Sequence, residues 1–269
     1  MMLPLLQQIG EAWHADTVET KCAAVDALIP AYMGLTLNAC CVDTSDPSAP
    51  DACLVGRPSK PLCVPPSALP FRKAIDVEGR AALLHAIAHI EFNAINLALD
   101  AAWRFRTLGA GFVRDWIGVA IEEAYHFHLI HDRLTALGYR YGDLPAHSGL
   151  WQLAEQTAGD TLARMALVPR LMEARGLDAM PPIFRAFQGI GDKPTLRALA
   201  VIARDEIRHV ALGDRWFRQL CQQQQRPMVE TYHALMSTYD APWPRPPLNE
   251  PARRAAGFAE EELARLRAH

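Results

Sequence analysis

The chain has 269 residues, half of them hydrophobic and 21% charged, which is an ordinary composition for a soluble globular protein. Its formal net charge of -3 implies no strong field of either sign, so the composition does not indicate a surface that binds nucleic acid or an acidic membrane. No uncharged apolar run reaches about 18 residues, and no basic region precedes the N-terminal leucines. We therefore predict neither a membrane span nor a signal peptide.

The six cysteines are scattered along the chain and form no CxxC pair. Such spacing does not predict a disulfide framework, and it favours a reducing compartment, the cytoplasm. A zinc site stays open as an alternative, although the cysteine spacing matches no common template. Its ligands would be Cys40, Cys41, Cys53 and Cys63.

Apolar residues recur at helical spacing in residues 1–35, which predicts one or two helices. Residues 43–70 hold seven prolines and few periodic apolar residues, so we predict a loop or an arm there. Four long amphipathic patterns follow, at 77–108, 113–137, 147–175 and 193–221.

Glycines are expected to end these patterns: Gly109 and Gly111 the first, Gly138 the second and Gly176 the third. The Pro181-Pro182 pair then begins a short connecting element. Beyond the fourth pattern we predict helices at 228–239 and 252–268. The basic residues near the C-terminus are interleaved with Glu260, Glu261 and Glu262, which is typical of a solvated face and not of an RNA-binding tail. They are Arg245, Arg253, Arg254, Arg265 and Arg267.

The pattern predicts an all-α protein built around a four-helix bundle, with no β-strand. We assign residues 1–70 to N-terminal helices and a proline-rich arm that packs on the bundle, residues 71–222 to the bundle, and residues 223–269 to a C-terminal extension.

Three glutamates lie in the middle of apolar helix faces that should point inward: Glu91, Glu123 and Glu206. An uncompensated buried carboxylate costs several kcal/mol or takes up a proton. Several such groups in one core must therefore be paired, protonated or bound to cations.

Two of these glutamates are followed by a histidine three residues later, His126 and His209. Residues i and i+3 share a helix face, so each pair can reach one metal ion. Each pair also follows another glutamate at nearly equal distance, 32 residues from Glu91 to Glu123 and 33 from Glu173 to Glu206. This spacing predicts a duplicated helical hairpin whose halves each supply one Glu and one ExxH motif.

Six ligands are thereby predicted for a site with two divalent metal ions. Four glutamates carry four negative charges, which two divalent cations balance when both imidazoles are neutral. Oxygen and imidazole ligands without thiolates suit iron or manganese, with zinc possible. The ligands are Glu91, Glu123, His126, Glu173, Glu206 and His209.

Several nearby residues carry secondary predictions. Glu122 and Asp205 each precede an ExxH glutamate, and we predict that they hydrogen-bond to the ligand imidazoles across the bundle, Asp205 to His126 and Glu122 to His209. His85 and His89 flank the face of Glu91 and are either further ligands or ordinary hydrogen-bonded histidines. Glu155 is an alternative to Glu173, and further ExxH pairs occur at Glu11–His14 and Glu230–His233.

The constellation resembles the ferritin-like di-iron carboxylate superfamily. More closely, the chain from about 71 to 263 is similar to an uncharacterised ferritin-like family known as domain of unknown function 455. The similarity rests on six stretches: 85–95, 122–127, 141–147, 173–178, 205–217 and 249–254. The stretch that begins at Glu173 is also similar to tRNA hydroxylases that modify isopentenylated adenosine.

The resemblance implies a ferritin-like four-helix bundle and a dinuclear, preferably iron, site at the six ligands. It implies no substrate. The reading that follows is a dioxygen-dependent oxidase or hydroxylase acting on a small substrate, with a tRNA substrate left open and electrons supplied by a separate reductase. Non-catalytic metal binding or iron handling is the alternative.

Overall fold

The computed structural model describes residues 5–34, 55–69, 74 and 76–267 of the chain. Within these residues every regular element is helical, and a single isolated bridge joins Cys63 to Ala146, which confirms the all-α prediction. The chain divides into two compact units, Met1–Trp151 and Gln152–His269. Three of the four cysteines of the zinc alternative, Cys40, Cys41 and Cys53, lie outside the described residues.

The first unit is built on a long helical hairpin. Its N-terminal region forms three short helices, not one or two, and the hairpin helices follow the proline-rich segment. Their bounds are Leu5–His14 (α1), Val18–Asp26 (α2), Ile29–Gly34 (α3), Val77–Arg104 (α4) and Ala110–Ala136 (α5). α4 and α5 pack along their length, while α1 packs on α4 and α2 on α5.

The ends of the hairpin helices have clear local causes. Asp76 caps α4, because its carboxylate accepts a hydrogen bond from the amide of Gly79 at 2.7 Å. Gly109 has a φ of 98°, which an L side chain rarely adopts, and it starts α5. Gly111 lies inside α5 and not in the turn, so its predicted role as a breaker was wrong.

Helix α4 is long and apolar enough to cross a membrane by composition alone. However, 67% of its most apolar window is buried inside the protein. This burial is typical of a core helix.

The second unit contains the remaining helices, and α6 crosses the boundary between the units. Their bounds are Gly149–Gln156 (α6), Thr161–Leu167 (α7), Ala174–Gly189 (α8), Lys193–Gln223 (α9), Met228–Thr238 (α10), Glu250–Ala255 (α11) and Glu260–Arg267 (α12). A π-helical turn, Val168–Glu173, joins α7 to α8. α8 and α9 form a second hairpin.

The predicted third helix, 147–175, is wrong as a continuous element. The chain leaves the helix after Gln156, and Asp160 starts a new one by accepting a hydrogen bond from the amide of Ala163 at 2.9 Å. Gly176 does not end a helix, because α8 continues from Ala174 to Gly189 and includes the Pro181-Pro182 pair. The predicted connecting element is therefore part of α8.

The π-helical turn packs closely on α9. Pro169 within the turn has no N–H to donate, which disfavours regular α-helical bonding at this point. A Cβ atom on Gly213 of α9 would lie 2.6 Å from the Cβ of Pro169. Glycine at 213 therefore permits this close approach.

The C-terminal helices are less exposed than predicted. The helix predicted at 252–268 is broken at Gly257, whose φ is 104°. Arg253 and Glu262 are 0% and 2% exposed, so the expected solvated face was wrong for these two residues. Arg254, Glu260 and their neighbours do form the expected exposed ion pairs.

Arg170 stands at the centre of the second unit and is fully buried. Its guanidinium donates a hydrogen bond to Asp214 at 2.7 Å and another to Glu262 of α12. The rings of Tyr232 and Phe258 lie 4.3 Å from its Cζ atom. Two buried carboxylates thus share this guanidinium, which is held between aromatic faces. The partly exposed guanidinium of Arg218 donates to the same two carboxylates.

We expect Arg170→Met to lower the free energy of unfolding by about 2–3 kcal/mol, because it removes two buried charge-assisted hydrogen bonds. Arg218 is then the remaining cation beside Asp214 and Glu262. Chemical denaturation followed by circular dichroism measures the change. Arg254→Met, at an exposed arginine, is the control and should stay close to the parent value. An Arg170→Met protein as stable as the parent would contradict the proposed role of this arginine.

Candidate metal centre

The first unit brings together two carboxylates and one imidazole. Glu91 lies in the middle of α4, and Glu123 and His126 lie one turn apart on α5. The Nδ1 atom of His126 is 3.3 Å from Oε2 of Glu91 and 3.5 Å from Oε2 of Glu123. Each residue offers one ligand atom, and these atoms lie within 4.8 Å of one another.

All three side chains are removed from water. Glu91 is 4% exposed, Glu123 1% and His126 0%. Two carboxylates at this depth require a nearby positive charge, since burial disfavours their ionised form. Their oxygen atoms and the imidazole nitrogen are the donors that iron and manganese accept. The residues therefore fit a divalent metal ion.

His126 supplies positive charge in the absence of metal. Burial disfavours its charged form, but attraction to the carboxylates of Glu123 and Glu91 outweighs burial and raises the pKa of His126 to about 11. A proton on this imidazole and a metal ion on it are mutually exclusive, because a metal ligand must be the neutral ring.

The second unit holds the matching pair. Nδ1 of His209 lies 3.5 Å from Oε1 of Glu206, one turn earlier on α9. His209 is fully buried, and the side chain of Glu206 is 12% exposed. This repeats the geometry of Glu123 and His126 on α5.

Glu173 occupies the last position of the π-helical turn and is partly buried. Its sequence rival Glu155 is exposed and lies on α6, a separate helix. Glu155 and Glu173 do not share the face of one continuous helix, because the chain between them is interrupted. Exposure favours Glu173 over Glu155 as a ligand.

His85 and His89 are buried and contact the loop that follows α5. The amide of Gly142 donates to Nε2 of His85 at 3.0 Å. Nδ1 of His89 lies 2.9 Å from the hydroxyl of Tyr141, and its Nε2 lies 3.0 Å from the carbonyl oxygen of His147. These contacts match the reading of the two histidines as hydrogen-bonded residues.

Tyr141 is an interior residue that sequence reasoning left without a role. Its ring lies 5.4 Å from those of His85 and Phe92 and 5.2 Å from that of Phe127, next to His126. Burial raises the pKa of its hydroxyl. Residues 141–147 lie in a loop and so lack helical periodicity, and the family resemblance is their one signal in the sequence.

The acids that precede the ExxH glutamates, Glu122 and Asp205, are both partly buried. Asp205 accepts two hydrogen bonds from its neighbour Arg204, at 2.8 and 3.0 Å. Their hydrogen bonds to the ligand imidazoles stay a prediction.

Exposure separates the remaining ExxH pairs from those at the site. Glu11, His14 and Glu230 are exposed, and Glu230 lies 3.6 Å from Arg265. Such exposed carboxylates need no buried counter-charge, so these motifs are ordinary surface features.

The chain matches known proteins along almost its whole length. Residues 14–264 match the model of a family described as "Protein of unknown function (DUF455)". An uncharacterized protein of Haemophilus influenzae is 41% identical over 268 residues, which cover 96% of this chain and 91% of that protein. No solved structure matches the chain.

We expect the imidazole of His126 to stay protonated at pH 8–9 in metal-free protein, because its pKa is raised to about 11. Nitrogen NMR of histidine-labelled protein would observe the protonation state directly. Its folded pKa is above the unfolded value of about 6.5. Its contribution to stability is therefore complete below about pH 6.5 and is lost as the pH rises toward 11. A neutral ring at pH 8 would refute this electrostatic account.

Proposed function

We propose that this chain, which belongs to the DUF455 family of proteins of unknown function, holds two divalent metal ions in a ferritin-like carboxylate site and uses them to oxidise a small substrate with dioxygen. The observation that carries the proposal is the buried group of Glu91, Glu123 and His126. A buried set of two carboxylates and an imidazole has the donor chemistry of such a site.

The second half of the proposed site is Glu173, Glu206 and His209. Support comes from the repeated spacing of the sequence and from the repeated Glu–His geometry on α9. We propose that both halves contribute to one dinuclear site, as in a ferritin-like bundle whose third helix is the α7–π–α8 segment. Four carboxylates then balance two divalent cations.

Two such ions, with iron preferred, would supply Lewis acidity and redox chemistry toward dioxygen when bound. The chain's own residues have defined tasks in this proposal. Glu91 and Glu123 provide anionic oxygen ligands, and His126 gives up its proton to become a neutral nitrogen ligand. Apolar neighbours such as Phe127, which is fully buried, exclude water from the site.

Oxidation by this route needs electrons, and we propose that a separate reductase delivers them in the cytoplasm. The substrate is proposed to be a small molecule, and a group carried on tRNA is the variant that the sequence similarity leaves open. The alternative is that the protein handles iron without catalysis. The dioxygen-consumption experiment below distinguishes this alternative from an oxidase.

We expect metal analysis of protein produced with iron to give about two metal ions per chain. Glu206→Ala should abolish or greatly reduce metal binding, since it removes a ligand from the second half of the site. Glu230→Ala is the matched control, because it changes the glutamate of an exposed ExxH motif. Loss of metal in Glu230→Ala, or retention in Glu206→Ala, would sink the ligand assignment.

We expect the ferrous protein to consume dioxygen repeatedly when it is supplied with an electron donor and a substrate. Stopped-flow absorbance and an oxygen electrode would record this turnover. A single oxidation of bound iron followed by accumulation of ferric iron, with no dependence on any added organic compound, would favour iron handling instead.

A further inference from the structure

A pocket opens in the second unit beside Glu206. Its volume is about 240 Å³, and it lies between α8, α9 and α11. The side chains that define its walls are Leu177, Met180, Phe184, Ala203, Glu206 and Ile207. Among the described residues that line it, Glu206 carries the charge and the others offer mainly carbon surface.

The pocket is held open by a specific set of contacts around the Pro181-Pro182 pair. Pro181 has no N–H and cannot donate to the carbonyl of Leu177, as a residue four positions on would in an α-helix. The side-chain amide of Asn249 replaces that donor at 3.0 Å. A residue at the start of α11 thus replaces the hydrogen bond that Pro181 cannot make in α8.

A second contact fixes α11 to α8 at the same place. Arg253 is fully buried and donates two hydrogen bonds to the carboxylate of Asp178, at 3.0 and 2.6 Å. The backbone amide of Asn249 donates to the same carboxylate at 2.8 Å. These charge-assisted bonds hold the two helices at a set separation, so the pocket is a built feature of the unit.

We propose that this pocket binds the substrate, and that the bound group is uncharged and apolar. The proposal rests on the function proposed above, because Glu206 is one of the assigned metal ligands. The lining is mainly carbon, and the charge of Glu206 is already balanced when this residue binds a metal ion. A charged group that entered the pocket would therefore lose its water without gaining a partner. A cavity of about 150 Å³ holds benzene, so this pocket accommodates roughly ten non-hydrogen atoms.

The test uses the full-length protein, with p-xylene as an uncharged probe and benzoate as an anionic probe of similar size. Methionine labelled at its methyl carbon reports binding, because Met180 lines the pocket. We expect p-xylene to shift the Met180 resonance in a saturable way, and benzoate to bind at least tenfold more weakly. No saturable shift with p-xylene would overturn the pocket assignment.

Two glycines of α8 give a matched pair of variants. A Cβ atom on Gly176 or Gly189 would meet no atom within 4 Å, so a side chain can begin at either position without a clash at its first carbon. Gly176 lines the pocket and Gly189 does not. Both variants should be at least as thermally stable as the parent, since leucine favours a helix more than glycine does. We expect Gly176→Leu to weaken p-xylene binding at least tenfold and Gly189→Leu to leave it unchanged.

Binding of Mn²⁺ alone then links the pocket to the metal site. We expect protein loaded with Mn²⁺ to speed the relaxation of the p-xylene protons, and Glu206→Ala to remove this effect. Metal binding without p-xylene binding would overturn only the pocket. A third outcome is that the protein takes up no metal but still binds p-xylene, and that Gly176→Leu abolishes this binding. This outcome would overturn the proposed function, and the assignment of the pocket to a substrate with it.

Discussion

A buried carboxylate needs a positive charge beside it, and this chain meets the requirement with two kinds of cation. Asp214 and Glu262 face the guanidinium of Arg170, which remains protonated at any pH that a folded protein experiences. Glu91 and Glu123 face the imidazole of His126 instead. An imidazole can lose its proton and become a metal ligand, whereas a guanidinium cannot. The two solutions therefore distinguish acids that stabilise the fold from acids that are able to receive a metal ion.

The C-terminal residues serve the interior of the second unit. Glu262 reaches Arg170, and Arg253 and Asn249 hold α11 against α8. These helices are short, and few isolated helices of this length are stable in water. Their buried ion pairs and hydrogen bonds thus provide the tertiary contacts that keep them folded. One of these contacts, between Asn249 and Leu177, lies at the wall of the pocket beside Glu206.

Sequence periodicity was sufficient for α4, α5 and α9, because each is a long amphipathic helix with inward-facing apolar residues. The ExxH pairs at Glu123 and Glu206 followed from the same periodicity, and their Glu–His contacts have the expected geometry. Periodicity failed in the third pattern, where a cap at Asp160 and a π-helical turn interrupt the helix. The pocket could not be predicted, because it depends on a contact between Asn249 and Leu177, residues 72 positions apart.

The π-helical turn at Val168–Glu173 has a consequence for how the chain tolerates insertion and deletion. A π turn contains about one residue more than an α turn, and each residue advances an α-helix by about 100°. Deleting one residue before Glu173 within the turn would allow a regular α-helix to form through this segment. The side chain of Glu173 would then be rotated about a quarter-turn around the helix axis. Two homologous sequences that differ here by a one-residue deletion would share the same helices and the same aligned residues, yet the side chain of this glutamate would have a different orientation in each.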